Sequence, residues 1–275
     1  MNPSFPPSPE TLLRGASHLG ILRELLASEL ERAPRMRALL GTPPPFRARA
    51  LEGMGPFEAA LRRAPVPVIG EFKRASPSLG PFALRAELGE RVAAYARGGA
   101  AACSILAEPS RFLGRAEDFA LARAFGLPLL YKGFVCSEAH LDEAVALGAQ
   151  AVLLIGRLLG PHLASFAGAA RVRGLEPLVE VHEPGEIPAA QAASPRMVGW
   201  NARDLADFSV RQAPAALLRQ AFPEALLVRE SGIHGAAEGN AALADGFDAL
   251  LIGEALMRAA DPAGLLAGIR RPVRA

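Results

Sequence analysis

Residues 66–73 read VPVIGEFK. The first five are apolar or glycine with no polar alternation, the mark of a strand buried on both faces. The run then ends on a carboxylate and an ammonium. The same design recurs at 101–106 (AACSIL), 127–132 (LPLLYK), 151–155 (AVLLI), 176–181 (EPLVEV), 197–201 (MVGWN), 225–231 (ALLVRES) and 249–253 (ALLIG). Between these runs lie Ala- and Leu-rich segments of helical periodicity, such as SEAHLDEAVALG and GAAEGNAALADG. Gly126, Gly148 and Gly174 stand where helix C-caps are expected. Strands that are apolar on both faces and alternate with helices require a parallel sheet covered by helices. Eight such units predict an α/β fold closed as a (β/α)8 TIM barrel. An open doubly wound sheet would carry a GxGxxG turn after its first strand, and the turn here reads EFKRASPSLG.

The segment before residue 66 reads differently. The Pro- and Ser-rich first ten residues are expected to be mobile. A helix is expected over 17–40, with Leu19, Leu22, Leu25 and Leu26 on one face, broken by GTPPPF at 41–46. FEAALRR at 57–63 predicts a short helix leading into the barrel. The expected organisation is an N-terminal helical extension over 1–60 and one catalytic barrel over 61–275.

At 275 residues, with 51% hydrophobic and 21% charged residues, the chain can bury one large core. A net charge of +2 without a basic block predicts no nucleic-acid partner. No apolar stretch reaches a membrane span, and MNPSFPPSPE lacks the basic and apolar regions of a secretory signal. A soluble, cytoplasmic protein is expected. Cys103 and Cys136 form no CxxC and are expected to be free buried thiols.

Of the 30 basic residues only Lys73 and Lys132 are lysine. Both close a strand-like run. An ammonium can lose its proton in a buried site, whereas guanidinium stays charged, so two lysines kept among arginines point to acid chemistry. A barrel places its active site at the C-terminal ends of its strands. The residues there are Glu71, Lys73 and Ser76 after the first run, Glu108 after the second and Lys132 at the third. Glu180 closes the fifth, Asn201 and Arg203 the sixth, Glu230 and Ser231 the seventh, and Gly253 and Glu254 the eighth. The fourth run ends at Ile155 and Gly156 without an ionisable group. Each charge alone reads as well as a rim ion pair; together they converge on one mouth. Crowding of the two lysines is expected to lower an ammonium pKa and make it an acid, with Glu180 as the base. Gly232 and Gly253 are candidate phosphate-binding positions, because barrels bind phosphate after strands seven and eight; Glu254 would then have to point away. His182 is expected in a loop or behind the site, and His140, His162 and His234 at the surface. Alternation turns Tyr131 and Trp200 toward the helices.

The ordered set GEFKRASPS, ILAEPSRFLG, LLYKGFV, AVLLIGRLL, LEPLVEVHEPGEI, VGWNARDL, RESGI and LIGEALMRA resembles the indole-3-glycerol-phosphate synthase family of tryptophan biosynthesis. The likeness spans residues from about 20 to 269. It implies a carboxy-lyase that turns 1-(2-carboxyphenylamino)-1-deoxyribulose 5-phosphate into indole-3-glycerol phosphate, CO2 and water, with no metal and no organic cofactor. By the same resemblance Lys132 is the general acid and Glu180 the general base. Lys73, held by Glu71, meets the substrate carboxylate, Asn201 orients the intermediate, and Arg203 holds the anionic substrate. Ser76, Glu230 and Ser231 bind substrate, with Ser231, Gly232 and Gly253 at its phosphate. Phe112, Phe134, Leu153 and Leu205 sandwich the aromatic ring. A monomer or weak homodimer acting on this small phosphorylated, anthranilate-derived substrate is implied. The chain departs from the family pattern at Ala107, Arg115, Gly133, Ala202 and Arg229. Two other readings stand beside this one: a non-catalytic binder of a phosphorylated ligand, or another phosphate-handling barrel such as a sugar-phosphate isomerase.

Overall fold

The eight apolar runs become eight parallel strands in the computed structural model: β1 (Val66–Phe72), β2 (Ala100–Leu106), β3 (Leu129–Lys132), β4 (Ala151–Ile155), β5 (Glu176–Val181), β6 (Met197–Asn201), β7 (Leu226–Glu230) and β8 (Ala249–Ile252). The structure describes residues 6–17, 19–40, 51–76, 80–83, 87–203 and 214–272. Each strand pairs with its neighbour, and β1 closes the barrel on β8 through Val68↔Leu250 and Gly70↔Ile252. Closure leaves the barrel itself without an open edge. Helices follow the strands in turn, from α4 (Leu88–Arg97), α5 (Ala116–Arg123) and α6 (Glu138–Ala146) onward.

The side chains of each strand divide between two cores. Ile69, Ala102, Leu130, Leu153, Leu178, Met197, Leu226 and Leu251 fill the barrel interior. Val68, Phe72, Tyr131, Val152, Val179, Trp200 and Leu227 face the helices, so Tyr131 and Trp200 lie on the expected side. Burying one such leucine or valine is worth roughly 1.5–3 kcal/mol. The helix layer also anchors the strand ends that carry polar groups. Tyr95 of α4 lies over β1, where a Cβ at Gly70 would sit 2.7 Å from its ring, and its hydroxyl donates to the Glu71 carbonyl at 3.3 Å.

The N-terminal segment corrects one expectation. A first helix, α1 (Pro9–Gly15), starts from Ser8, whose Oγ accepts the Thr11 N–H at 3.3 Å. The single helix expected over 17–40 begins later, as α2 (Ile21–Leu40), because Gly20 takes a left-handed φ of 52°. Leu19 lies outside that helix yet is buried with Leu22, Leu25 and Leu26. The GTPPPF break lies outside the described residues. The short helix α3 (Pro56–Arg63) starts where Glu176, the first residue of β5, accepts the N–H groups of Phe57 at 2.7 Å and Glu58 at 2.8 Å. A carboxylate at a helix N-terminus meets unpaired amides and the positive end of the helix dipole.

Two histidines expected at the surface are buried. His140 on α6 faces α2, with Nε2 2.8 Å from Glu29 Oε2 and Nδ1 2.8 Å from Ser137 Oγ, and His162 is 5% exposed. A partner across the seam, invisible in the local pattern, draws His140 inward. Both cysteines are free and buried, as expected. Among the described residues no helix is long and apolar enough to cross a membrane.

Candidate active site

Strand alternation aims Glu71, Lys132, Glu180 and Glu230 into the barrel mouth. Glu71 bridges the two lysines: Lys73 Nζ lies 2.8 Å from its Oε1 and Lys132 Nζ lies 3.0 Å from its Oε2. Lys132 Nζ also lies 3.1 Å from Glu230 Oε2. Asn201 Nδ2 donates to Glu180 Oε2 at 3.3 Å, while its Oδ1 accepts from Ser231 Oγ at 2.8 Å and from the Arg203 N–H at 3.1 Å. Two glycines make room for this crowd. A Cβ at Gly199 would collide with the Glu230 carboxylate, and one at Gly253 would collide with Glu71 and lie 3.0 Å from Lys73 Nζ.

Three buried carboxyl groups face two ammonium groups, and the balance decides each proton. Burial raises the Glu71 carboxyl, but Lys132 and Lys73 outweigh it and hold Glu71 at about 2. Burial pushes Glu230 up to about 8; Lys132 opposes this and the neighbouring Glu180 adds to it. Burial and the Glu180 neighbour thus favour the protonated form of Glu230 over that of an ordinary carboxyl. The expected fall in a lysine pKa is overturned for Lys132. Burial lowers it, yet Glu71, Glu230 and Glu180 together hold it above the ordinary lysine range. Carboxylates rather than the second lysine are its nearest neighbours.

One pocket opens above this cluster. Glu71, Lys73, Ser76, Phe112, Lys132, Phe134, Leu153, Glu180, Asn201, Arg203, Ser231, Gly232 and Gly253 all line it. Glu230 does not; it is fully buried beneath Lys132. Leu205 lies outside the described residues. Phe112 and Phe134 face each other across one side, with ring centroids 6.0 Å apart. Ser231 and Gly232 both adopt left-handed backbone, with φ of 63° and 72°, and turn the chain back over the mouth directly after β7. Glu254 stays on the pocket wall, paired with Arg258 at 3.1 Å and 3.9 Å from Arg203. His182 stands behind the pocket, with Nε2 3.3 Å from Glu180 Oε1. Strand-end reasoning missed the apolar lining of Leu106, Ile155 and Leu251, although inward alternation on β2, β4 and β8 carries that signal. Among the described residues no group of three His, Cys, Asp or Glu side chains is arranged to hold a metal ion.

Gly133, one of the departures, has no strained backbone. A Cβ there would meet the Tyr131 ring at 3.1 Å and Ala107 Cβ at 3.4 Å, so the two small residues pack against each other beside Lys132.

The family model for indole-3-glycerol phosphate synthase matches residues 47–267. The chain is 40% identical to indole-3-glycerol phosphate synthase 2 of Streptomyces coelicolor over 262 residues, covering 91% of this chain and 98% of that one. It is 41% identical to the indole-3-glycerol phosphate synthase of Lactiplantibacillus plantarum, over 79% of this chain and 85% of that one. Among solved structures, the thiamine phosphate pyrophosphorylase of Pyrococcus furiosus superposes with a TM-score of 0.52 at 17% identity, over 74% of this chain and 92% of that one, a likeness of fold alone. With its model matched across the barrel and one relative matched over 98% of its length at 40% identity, the chain belongs to the indole-3-glycerol phosphate synthase family.

Proposed function

We propose that this chain performs the indole-3-glycerol phosphate synthase reaction with Lys132 as general acid and Glu180 as general base. The ring carbon bearing the substrate carboxylate attacks the ketone, and the carbonyl oxygen takes a proton from the Lys132 ammonium. Loss of CO2 restores the aromatic ring. Departure of the resulting hydroxyl as water then needs one proton donated and one removed from the ring system, the latter by Glu180. The observation that carries this reading is the meeting of Lys73, Lys132, Glu180 and Asn201 in one pocket beside Phe112 and Phe134. A strongly held ammonium is a weak acid by itself. In its protonated form the Glu230 carboxyl, 3.1 Å from Lys132 Nζ, can return a proton after transfer.

Lys73 meets the substrate carboxylate while Glu71 fixes its position. Arg203, Ser231, Gly232 and Gly253 receive the phosphate end, and Phe112, Phe134, Leu153 and Leu205 enclose the arene. The enzyme is read as a cytoplasmic monomer or weak homodimer, which sedimentation at micromolar concentration checks.

Lys132→Arg keeps the charge but removes an exchangeable acid. It is expected to fold normally and to lower indole production about 10²- to 10⁴-fold, the span general acid catalysis supplies. Near-normal turnover would remove Lys132 from the acid role. Substrate binding without indole formation by the unaltered chain would instead favour a ligand-binding paralogue.

A further inference from the structure

We infer that Glu108 is a positioning residue that sets the aromatic wall of the pocket through the backbone of Phe112. The inference rests on the reading of that wall as the arene clamp. Glu108 follows β2 and is 1% exposed, although it carries a carboxylate. Among the described residues no cation pairs with it. Its charge is met by the loop that follows: Oε1 accepts the Ser110 N–H at 2.7 Å and the Ser110 hydroxyl, and Oε2 accepts the N–H groups of Arg111 at 2.7 Å and Phe112 at 3.0 Å. Charge-assisted bonds of this kind are about twice as strong as neutral ones, and several from one carboxylate fix a backbone.

The loop gives back no freedom on its other side. The Glu108 carbonyl accepts the Gly114 N–H at 2.9 Å. Leu113 holds a left-handed φ of 57°, unfavourable for a non-glycine residue. A Cβ at Gly114 would collide with the Leu106 carbonyl. Arg74 Nη1 reaches the Leu113 carbonyl at 3.3 Å while its guanidinium forks onto Asp118 at 2.6 and 2.7 Å. The side chain that this construction delivers to the pocket is Phe112, opposite Phe134. A buried charge satisfied by three amides and one hydroxyl of its own loop, which also tolerates one strained residue, is an expensive way to build a plain connection. Its product is a fixed ring.

The test uses the alcohol made by reducing the substrate ketone, which keeps arene and phosphate but cannot cyclise. Ribulose 5-phosphate, which lacks the arene, serves as the control. Glu108→Gln is expected to weaken binding of the arene-bearing probe about tenfold, the scale of an aromatic contact, and to leave the control unchanged. In the Phe112→Ala background the same substitution should add nothing. Should Glu108→Gln fail to fold, Ser110→Ala removes one donor and is expected to weaken the probe about two- to threefold in the Phe112 chain only. Equal weakening in both backgrounds, equal loss for the control, or no weakening in the Phe112 chain would overturn the inference. Binding is read without turnover, so a chain that binds the probe yet makes no indole would sink the catalytic reading and leave this one standing.

Discussion

Two clusters of buried charge lie on opposite faces of β3. Lys132 points into the mouth among Glu71, Glu180 and Glu230. Tyr131, one residue earlier, points outward into the seam between α2 and α6. There its hydroxyl donates to Glu143, and Arg32 bridges Glu143 at 3.0 Å and Glu29 at 2.9 Å. His140 completes the seam on Glu29. The ingredients are nearly the same: in both clusters every carboxylate meets a cation or a ring nitrogen, Glu180 through His182 at 3.3 Å. The difference lies in what covers them. In the seam helices close over the group. In the mouth burial and Glu180 push the Glu230 carboxyl up, and the lysines line an open pocket. Covered charge joins parts of a fold; the same charge beside a cavity can move protons.

The largest expected effect tests that division directly. Glu180→Gln should lower turnover about 10²- to 10⁴-fold with little change in melting temperature. Glu29→Ala should do the reverse. Removing one partner of a buried ion pair costs about 3–5 kcal/mol, read by denaturant unfolding, while kcat per folded molecule stays within about twofold. If Glu29→Ala lowers kcat as much as stability, the two faces of β3 do not work separately.

The pH dependence of stability sharpens the same contrast, because one carboxyl of each cluster, Glu230 in the mouth and Glu29 in the seam, shifts in the opposite direction. In the folded chain Glu230 titrates at about 8, against an ordinary value of 4.5, so it binds a proton that the unfolded chain has already released. Stability through this group is full below 4.5 and declines as pH rises to about 8. Glu29 is raised by burial, but hydrogen bonds from His140 and Arg32 outweigh this and hold it below its ordinary value. Its contribution is present above the unfolded pKa and is lost as pH falls through the folded one. Melting temperatures from about pH 2 to 9 should therefore lose the decline between about pH 4.5 and 8 in Glu230→Gln and part of the decline below about pH 4.5 in Glu29→Gln. A Glu230→Gln protein that keeps the decline between about pH 4.5 and 8 contradicts the upward shift of that carboxyl.

The barrel was legible because each strand is a short apolar run, several of them closed by a polar residue. That pattern follows from burial on both faces and holds without knowledge of partners. Site membership was legible for the same reason: strand ends in a closed barrel have one place to go. What escaped was set across the sequence. The direction of the Lys132 shift depends on Glu71 and Glu230, from strands that do not pair with β3 and reach Lys132 only across the closed barrel. His140 reads as a surface residue on its own helix until α2 lays Glu29 over it. Leu19 and Gly20 read as helix because periodicity ignores a left-handed glycine.

The smallest effect is expected at Gly133, and it bears on whether the two clusters communicate. The residue follows Lys132, and a Cβ there would touch the Tyr131 ring at 3.1 Å, joining the mouth to the seam through one methyl group. Gly133→Ala narrows the unfolded ensemble, which stabilises by about 0.4–1 kcal/mol where the backbone accepts alanine. Its φ lies outside the left-handed range, so the backbone does accept it. Against this stands a contact a few tenths of an ångström too close, on a ring fully buried against Phe119 at 5.7 Å between centroids. Overpacking of a fixed core costs about 1–3 kcal/mol, but a single methyl against a ring edge falls at the low end. The two terms nearly cancel, so unfolding free energy should move by less than about 1 kcal/mol. Turnover then reports on coupling alone. If the faces are independent, kcat changes by less than about twofold. A larger loss at unchanged stability would mean that the Tyr131 ring, pressed toward the seam, shifts Lys132 from Glu71 and Glu230, and that the seam holds the acid in place.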